Sequence, residues 1–551
     1  MRAPGKPQGL LLGLGLVLAP GMLAAQAPPA PGEPGLLDSE RDLRDRQRQE
    51  REERAREEAD RQEIPALRGD APEVDELPDT DERFVLQHIR FNPSEFLDED
   101  RLTELADEYV GREIGVDDLN ELLERVNALY EERELLTARA IIPPQDVGDG
   151  ELRVVLVEAR LESVDWLKEP ERVRKSFFTD RIELAEGEVL DTSRLLRETR
   201  RLNATTPGPQ LSASLAAGEE FGTTRVQLEP FEPPPWELTA FANNHGSESS
   251  GEYQAGLRGT WFSPTGNADS LDATLLGSRG TVYGSLEYRY PVNRSNGMVF
   301  GGLSRNELEI VEGPYRDLDI EGESWQARLG YEHPWVYSQA LRLLGRMEYV
   351  RSESETLLED EVPLTDVTTD RVQFGLTTTW RSGDWFATYI QTLDAARVDN
   401  AVTGHSGSHQ TVGGEGLVQR RLGDSWRFVG RSSWQYASDE DELPSSLLFQ
   451  LGGLGSVRGY DSGILAAPHG IDLALEAHWA FLPDWEVSAL LDAGHVNDSD
   501  LPENTIGSAG LGVSYQWRER LSVSAHYAHA FTEVVPDQDS GQFRMQAEWK
   551  F

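Results

Sequence analysis

The nine residues that decide the fold are Phe543-Arg544-Met545-Gln546-Ala547-Glu548-Trp549-Lys550-Phe551, in which apolar and polar side chains alternate. Successive side chains of a β-strand point to opposite faces, so this segment has one apolar and one polar face. Residues 485–493 and 521–527 alternate in the same way. Strands of about ten alternating residues with aromatic ends are typical of a transmembrane β-barrel, whose polar face lines the lumen. In a soluble β-sandwich the apolar face would instead cover a core.

The connections between the alternating segments favour the barrel. Six short breaks lie at residues 264–266, 291–296, 383–384, 423–424, 483–484 and 518–519. Four longer connections alternate with them, at residues 306–321, 351–368, 395–409 and 438–470. Short turns at one rim and long loops at the other are typical of outer-membrane barrels. The alternation predicts about sixteen strands over residues 236–551, a number that leaves an aqueous channel.

Residues 1–25 predict a secretory signal peptide. Arg2 and Lys6 supply a positive start, residues 9–17 form an apolar run, and Leu23-Ala24-Ala25 offers small residues for cleavage. The apolar run is too short for a membrane-spanning helix, and no later stretch reaches about 18 apolar residues. An exported chain without such a helix can span a membrane only as a closed barrel.

The composition argues against several classes of function. The chain has 97 acidic and 52 basic residues, a formal net charge of −45 that repels nucleic acid phosphates. It contains no cysteine, which excludes disulfides, thiolate metal sites and a cysteine nucleophile. The sequence also has no phosphate-binding loop, no zinc-binding helix and no nucleophile elbow. We therefore predict no catalytic residue, no metal site, no cofactor and no nucleic acid partner.

The linker region, residues 26–80, contains a highly charged segment. Residues 38–63 hold 11 acidic and 8 basic side chains. Acid–base pairs spaced four residues apart recur, among them Glu40/Arg44 and Glu57/Arg61, and this spacing stabilises a helix. A helix that is polar on every side is either solvated or enclosed by polar walls. The residues alone leave both interpretations open.

Two short α+β units are predicted between the linker and the barrel. Residues 82–160 show a strand, two helices and two further strands, and the second helix carries an apolar stripe through Leu119, Val126 and Tyr130. Residues 161–232 repeat that order, and three consecutive prolines follow them. Two tandem copies of one β-α-α-β-β unit predict a docking array rather than an active site.

The most informative connection is residues 438–470, which contains Val457-Arg458-Gly459-Tyr460. A loop arginine is usually solvated, and glycines beside it suit ordinary turns. Loops longer than about 15 residues, however, tend to be either functional or disordered. Asp492 has the polar parity of its strand, which points it into the lumen. If the loop folds inward, Arg458 and Asp492 can form a bidentate pair away from bulk water.

These motifs resemble those of the two-partner secretion transporters, a family within the superfamily of outer-membrane assembly and translocation barrels. In the barrel, the resemblance is carried by Val457-Arg458-Gly459-Tyr460, by Leu490-x-Asp492-x-Gly494 and by Asn243-Asn244-His245-Gly246-Ser247. Before the barrel, Tyr109-Val110-Gly111-Arg112 and Pro143-Pro144-Gln145-Asp146 resemble the family's first polypeptide-transport-associated (POTRA) domain. The chain departs from the usual family residues at Ala159, Asn243 and Leu490, which leaves Arg458 and Asp492 untouched.

The resemblance implies a mainly β protein that exports a large unfolded exoprotein of the adhesin or haemolysin type. It implies that residues 38–63 plug the pore and that POTRA domains at residues 82–160 and 161–232 capture the partner by strand addition. It places the barrel in the outer membrane and the POTRA domains in the periplasm. Outer-membrane lipid and the barrel-assembly machinery are further implied partners, with Trp549 and Phe551 as the C-terminal barrel signal.

Two other functions compete with export. An assembly factor that inserts other barrels shares the Arg-Gly loop motif, but such proteins usually carry more than two docking domains. A plain porin needs no docking domain. The two predicted domains and the charged N-terminal segment favour the transporter.

Overall fold

A computed structural model describes residues 66–68, 77, 83–206, 208–313, 315–338, 340–359, 362–438, 443–497, 503–518, 520–536 and 538–551. The predicted signal peptide at residues 1–25, the charged segment 38–63 and most of the linker 26–80 lie outside the described residues. Within the described part of the chain, no helix combines the length and the apolar character needed to cross a membrane.

Two α+β units precede the barrel; unit 1 comprises residues 83–159 and unit 2 residues 160–231. In chain order the elements are β1 (Leu67–Arg68), β2 (Phe84–Val85), β3 (His88–Phe91), α1 (Glu99–Asp107), β4 (Glu113–Ile114), α2 (Val116–Glu131), β5 (Ala138–Ile141), β6 (Glu151–Glu158), β7 (Arg160–Trp166), α3 (Lys175–Thr179), α4 (Thr192–Thr205), β8 (Gln210–Ala217) and β9 (Thr223–Phe231).

Unit 1 packs its helices α1 and α2 against a three-stranded sheet of order β3-β6-β5. The apolar stripe of α2 faces this sheet, and Leu122, Val126 and Tyr130 are buried there. The carboxylate of Asp118 accepts a 2.9 Å hydrogen bond from the backbone of Gly115, which caps the start of α2. The predicted core-facing helix is therefore present, and its amphipathic pattern places it on the sheet.

Unit 2 has a four-stranded sheet of order β1-β8-β9-β7. Its edge strand β1 comes from the linker ahead of unit 1 and pairs in parallel with β8, with Leu67 opposite Ala213. The backbone of Ala213 donates a 2.9 Å hydrogen bond to the carbonyl of Ala66. Two residues are too short for an alternating pattern, so nothing in the sequence indicates this strand.

The rest of the described chain forms β10 (Trp236–Asn243), β11 (Gln254–Phe262), β12 (Ser270–Gly277), β13 (Thr281–Pro291), β14 (Met298–Glu309), β15 (Ile320–Tyr337), β16 (Leu341–Leu358), β17 (Val362–Ser382), β18 (Trp385–Asn400), β19 (His405–Leu422), β20 (Trp426–Ala437), β21 (Phe449–Leu451), β22 (Leu465–Ala467), β23 (His469–Leu482), β24 (Trp485–Asn497), β25 (Thr505–Trp517), β26 (Leu521–Ala530) and β27 (Gly541–Lys550), with 3-10 helices at Arg316–Leu318 and Ser445–Leu447. All these strands except β21 and β22 close in sequence order into one antiparallel barrel, with β10 beside β27. The prediction of sixteen barrel strands is confirmed.

The outer surface of the barrel carries an apolar band. Large apolar side chains are exposed along the middle of the strands, including Leu275, Leu303, Leu329, Leu393, Leu473, Leu491 and Leu511. Half-exposed tryptophans lie at one end of the strands, including Trp335, Trp380, Trp385, Trp426, Trp479, Trp485 and Trp517. An exposed apolar band beside an aromatic girdle excludes the soluble sandwich, because a sandwich would bury this face.

The short connections lie at one rim, which we call the proximal rim because it touches unit 2. The backbone of Arg174 in unit 2 donates a 2.9 Å hydrogen bond to Gly266 in one of these turns. The six short breaks predicted from the sequence all fall at the proximal rim, between β11 and β12, β13 and β14, β17 and β18, β19 and β20, β23 and β24, and β25 and β26. The long connection 438–468 lies at the opposite, distal rim.

Two of the predicted long loops are wrong. Residues 351–368 and 395–409 are mostly strand, because β15 to β19 run for 16 to 21 residues. A strand needs about 9–11 residues to cross a membrane, so these strands continue beyond it. There both faces are polar, as in the exposed ion pair between Arg351 and Asp370. The alternation that marks a membrane strand disappears although the hydrogen-bonded ladder continues.

Candidate functional site

The connection between β20 and β23 folds back onto the inner wall of the barrel. Its hairpin, β21 and β22, contacts β23 and β24. An apolar cluster holds the hairpin in place and joins it to β24, β25 and β26; its fully buried members include Leu451, Val457, Tyr460, Val496 and Ile506. The loop is therefore packed against the wall and is not a solvated distal loop.

Glycines shape the tip of this loop. Gly452 and Gly453 have φ of +100° and +81°, a left-handed conformation that side chains other than glycine rarely adopt. The hydroxyl of Ser456 donates a 3.0 Å hydrogen bond to the carbonyl of Gly452. The same hydroxyl accepts a 2.8 Å hydrogen bond from the backbone amide of Gly452. These bonds close a tight turn immediately before the Val457-Arg458-Gly459-Tyr460 motif.

Arg458 is buried, with 7% of its surface exposed, and binds Asp492, of which 1% is exposed. The guanidinium donates from Nε to one carboxylate oxygen at 2.9 Å and from Nη2 to the other at 2.5 Å. The backbone amide of Arg458 also donates to Asp492, at 3.1 Å. This is the bidentate geometry that fixes orientation as well as energy.

Glu476 on β23 is a second carboxylate of the site, and the sequence analysis missed it. Its Oε1 accepts from Nη1 of Arg458 and from Nη2 of Arg431, each at 2.7 Å. Its Oε2 lies 2.7 Å from Nε2 of His478. Glu476 has the same inward parity as Asp492 on the neighbouring strand, since Ala474, two residues before it, pairs with Asp492. Applying the alternation to β23 as well as to β24 places Glu476 on the inner wall, together with Asp472 and His478.

The other motif residues fix the loop to the wall. Tyr460 hydroxyl donates to the carbonyl of Gly507 at 3.2 Å and accepts from the amide of Thr532 at 3.1 Å. Gly494 leaves room for Leu451, whose methyl groups would lie 2.6 and 2.8 Å from a Cβ at that position. Val457 is fully buried beside them.

Gly459 is expected to tolerate no side chain. A Cβ there would lie 2.6 Å from the Cβ of Ser508 and 3.0 Å from the backbone nitrogen of Ala530, so Gly459→Ala must displace the motif from the wall. For the export function that the family resemblance implies, we expect reduced secretion of the partner protein with normal barrel insertion, measured as exoprotein in the medium. Gly430→Ala is the matched control, because its Cβ would meet only Leu475 at an ordinary 3.6 Å. Equal secretion by both variants would contradict this expectation.

The motif residues of unit 1 are not part of the lumen site. Tyr109 is buried, with the guanidinium groups of Arg112 and Arg125 each 5.7 Å from its ring centroid. Burial raises the pKa of the Tyr109 hydroxyl, and the hydrogen bond from Arg125 lowers the pKa of Glu108. Gly111, with φ of +81°, donates to Leu86 at 2.8 Å. These residues shape the turn between α1 and α2.

The second motif of unit 1 forms the turn between β5 and β6. Gln145 pairs with the backbone of Arg153 through two 2.8 Å hydrogen bonds. Asp146 accepts from the amide of Gly148 at 2.9 Å, and Pro144 precedes both. This arrangement orients the β5–β6 connection and brings no acid, base or nucleophile together.

The C-terminal aromatic residues lie on the seam of the barrel. Trp549 pairs with Ala240 of β10 and with Leu521 of β26, and its ring centroid lies 6.0 Å from that of Trp517. The amide of Phe551 donates to Leu238 at 3.0 Å, and its side chain is exposed. Among the described residues, no cluster of His, Asp or Glu has the arrangement of a metal site.

A closed barrel with an outward apolar band, a loop tied to its inner wall and α+β units before the first strand defines an outer-membrane translocator. The chain belongs to the haemolysin secretion/activation protein family ShlB/FhaC/HecB, whose profile matches residues 222–515. A POTRA domain of the ShlB type matches residues 84–159, which is unit 1. The predicted family is confirmed, and the family is one of transporters of the outer membrane whose POTRA domains are periplasmic.

Relatives cover most of the chain. The outer membrane transporter CdiB of Dickeya dadantii is 24% identical over 471 residues, which are 79% of this chain and 81% of that protein. The heme/hemopexin transporter protein HuxB of Haemophilus influenzae is 22% identical over 478 residues, 81% of this chain and 83% of its own. The solved structure of CdiB from Escherichia coli shares the fold, with a TM-score of 0.72, 19% identity and coverage of 93% and 99% of the two chains.

Proposed function

We propose that the chain exports a large, unfolded exoprotein of the adhesin or haemolysin type, captured by units 1 and 2 and released through the barrel. The observation that carries this proposal is the loop held on the inner wall by Arg458, Asp492 and Glu476. We call Arg458, Asp492 and Glu476, together with Arg431, the lock. A passive pore needs no such lock, whereas a translocator needs a lumen element with a defined resting position.

The charges of this lock balance. Arg431 and Arg458 face Glu476 and Asp492, and all four side chains are almost completely buried. Rehydration of separated charges offsets much of the attraction between them, so a buried ion pair fixes one geometry more than it adds net stability. The lock therefore holds the loop in one orientation and still permits release when a polypeptide enters the lumen. Arg458 acts in this account as a conformational element of export.

Strand addition is the proposed mode of capture. Unit 2 shows strand addition within the chain itself, since β1 from the linker pairs in parallel with β8 through Leu67 and Arg68 and occupies that edge. An extended segment of the exoprotein would be recognised largely through its backbone, which suits an unfolded partner of variable sequence. The motif residues Tyr109, Gly111, Arg112, Pro144, Gln145 and Asp146 lie in unit 1, where they would support capture by fixing the turns of that unit.

The barrel also has partners in the membrane. The exposed apolar band contacts outer-membrane lipid, because its leucines would otherwise face water. Trp549 and Phe551 are the proposed recognition signal for the barrel-assembly machinery. The family is one of transporters, which supports a role in translocation.

The proposed function is tested by expressing the full chain with its cognate exoprotein, sought among large secreted proteins encoded beside this gene, in a host that lacks both. We expect the exoprotein in the medium only when the chain is present, and in the periplasm otherwise. Periplasmic retention in both cases would contradict export. The alternative, an assembly factor, predicts instead that depletion of the chain in its native host lowers the amount of other folded barrels.

A further inference from the structure

Unit 2 and the barrel meet at two neighbouring turns of the proximal rim. The first is residues 263–269 between β11 and β12, and the second is residues 292–297 between β13 and β14. Ala268 in the first turn is completely buried within the apolar core of unit 2. The backbone of Arg174 donates to Gly266 in the same turn, at 2.9 Å. The first turn therefore docks the barrel on unit 2 through apolar packing and a backbone hydrogen bond.

The second turn is held by one arginine of unit 2. Arg181 donates from Nε to the side-chain oxygen of Asn296 at 2.5 Å and from Nη2 to the carbonyl of Asn293 at 3.1 Å. Its Nη1 donates to the carbonyl of Phe177 at 3.0 Å, and the guanidinium lies 3.8 Å from the Phe177 ring centroid. One side chain thus spans the joint and satisfies groups on both sides of it.

Asn296 completes the joint. It has φ of +59°, the left-handed conformation that asparagine tolerates better than most residues. Its side-chain nitrogen donates to the hydroxyl of Thr205, the last residue of α4, at 2.6 Å. Asn296 therefore links the barrel turn to two elements of unit 2, α4 through Thr205 and the segment after α3 through Arg181.

Arg181 is partly buried, and the groups that it contacts are unusual for an arginine. Its hydrogen-bond acceptors within the described residues are neutral oxygens, two carbonyls and one amide. Desolvation lowers the pKa of Arg181 to about 10. A desolvated cation held by neutral groups adds little net stability to the fold. The directional hydrogen bonds of Arg181 therefore act mainly by fixing the orientation of unit 2 relative to the barrel.

We propose that Arg181 is a positioning residue, which holds unit 2 at a fixed orientation beneath the barrel so that a captured segment is delivered to the lumen. This inference rests on the proposed export function and extends it to the joint between capture and passage. Without the Arg181–Asn296 contact, unit 2 remains attached through β10 and the first turn but samples other orientations. Capture then continues while delivery becomes inefficient.

The test uses the absence of cysteine from the natural chain. The double variant Thr205→Cys/Asn296→Cys removes the Asn296 contacts and leaves two thiols across the joint, which a short reducible bis-methanethiosulfonate linker can bridge. In the full chain without linker, we expect secretion of the cognate exoprotein to fall about tenfold, the change expected when one charge-assisted hydrogen bond no longer fixes the docked orientation. Bridging should restore secretion, and reduction of the linker should remove it again.

Arg181→Ala should show the same loss of secretion with unchanged capture, measured as binding of the N-terminal domain of the cognate exoprotein to the full chain in detergent. Arg197→Ala is the matched control, since that side chain is exposed and donates a 2.8 Å hydrogen bond to Ser193 within α4. The proposal would be overturned if the bridged double variant stayed inactive. It would also be overturned if Arg181→Ala secreted as much exoprotein as an active wild type. Failure of the wild type itself to secrete would instead refute the proposed function.

Discussion

Arg458→Ala is expected to abolish secretion of the exoprotein while the barrel still inserts into the outer membrane. The substitution leaves the buried carboxylate of Asp492 without its guanidinium partner, while Glu476 keeps its contacts with Arg431 and His478. Removing one partner of a buried ion pair costs about 3–5 kcal/mol, because the remaining charge stays desolvated. The loop then loses its position on the wall, although the barrel hydrogen bonds are unaffected. The measurement is exoprotein in the medium, with heat-modifiable mobility in gels as the check on folding.

Arg305→Ala is the matched control for this prediction. Arg305 faces outward, is 60% exposed and pairs with Glu307 and Glu323. Exposed pairs of this kind contribute about 0–1 kcal/mol, so secretion should stay at the wild-type level. Arg458→Lys should give an intermediate result, because lysine keeps the charge and loses the bidentate contact. Wild-type secretion by Arg458→Ala would remove Arg458 from the mechanism.

Deletion of residues 38–63 is expected to raise the single-channel conductance of the reconstituted chain without blocking export. The segment is polar on every side, and 26 helical residues would span about 39 Å, enough to fill a barrel lumen. The expected result follows from the hypothesis that this segment plugs the pore. Planar-bilayer recordings on wild type and variant measure it directly.

The matched control is deletion of residues 26–37, which are rich in Pro, Ala and Gly and carry little charge. That deletion should leave the conductance unchanged, because the plug segment remains tethered to the chain. If the 38–63 deletion left the conductance at the wild-type value, the plug hypothesis would fail and the solvated interpretation would stand.

The barrel was predictable from sequence because the membrane imposes alternation on every strand that crosses it. The same rule gave the inward direction of Asp492, which the structure places against Arg458. The rule fails outside the membrane, where β16 and β17 continue with polar residues on both faces. For this reason the sequence pattern predicts a loop at residues 351–368.

Other parts of the site depend on contacts that no local pattern encodes. Glu476 shares its parity with several polar residues of β23, and only the folded loop selects it as a partner of Arg458. The pairing of β1 with β8 joins segments nearly 150 residues apart through two residues. Arg181 looks like any surface arginine after a short helix until the barrel turn closes over it.

Export requires two positions of the loop carrying Arg458, which must rest on the inner wall until the exoprotein is captured and must leave the wall for the exoprotein to pass. Asp461 follows the loop motif and accepts a 3.0 Å hydrogen bond from Gln542 of β27. In a chain without natural cysteines, Asp461→Cys/Gln542→Cys permits the loop to be tethered to the wall with a short reducible thiol linker. The most direct measurement is secretion by this variant before bridging, after bridging and after reduction, with each single cysteine variant as control. The account predicts that bridging stops secretion and reduction restores it, whereas undiminished secretion by the bridged protein would contradict it.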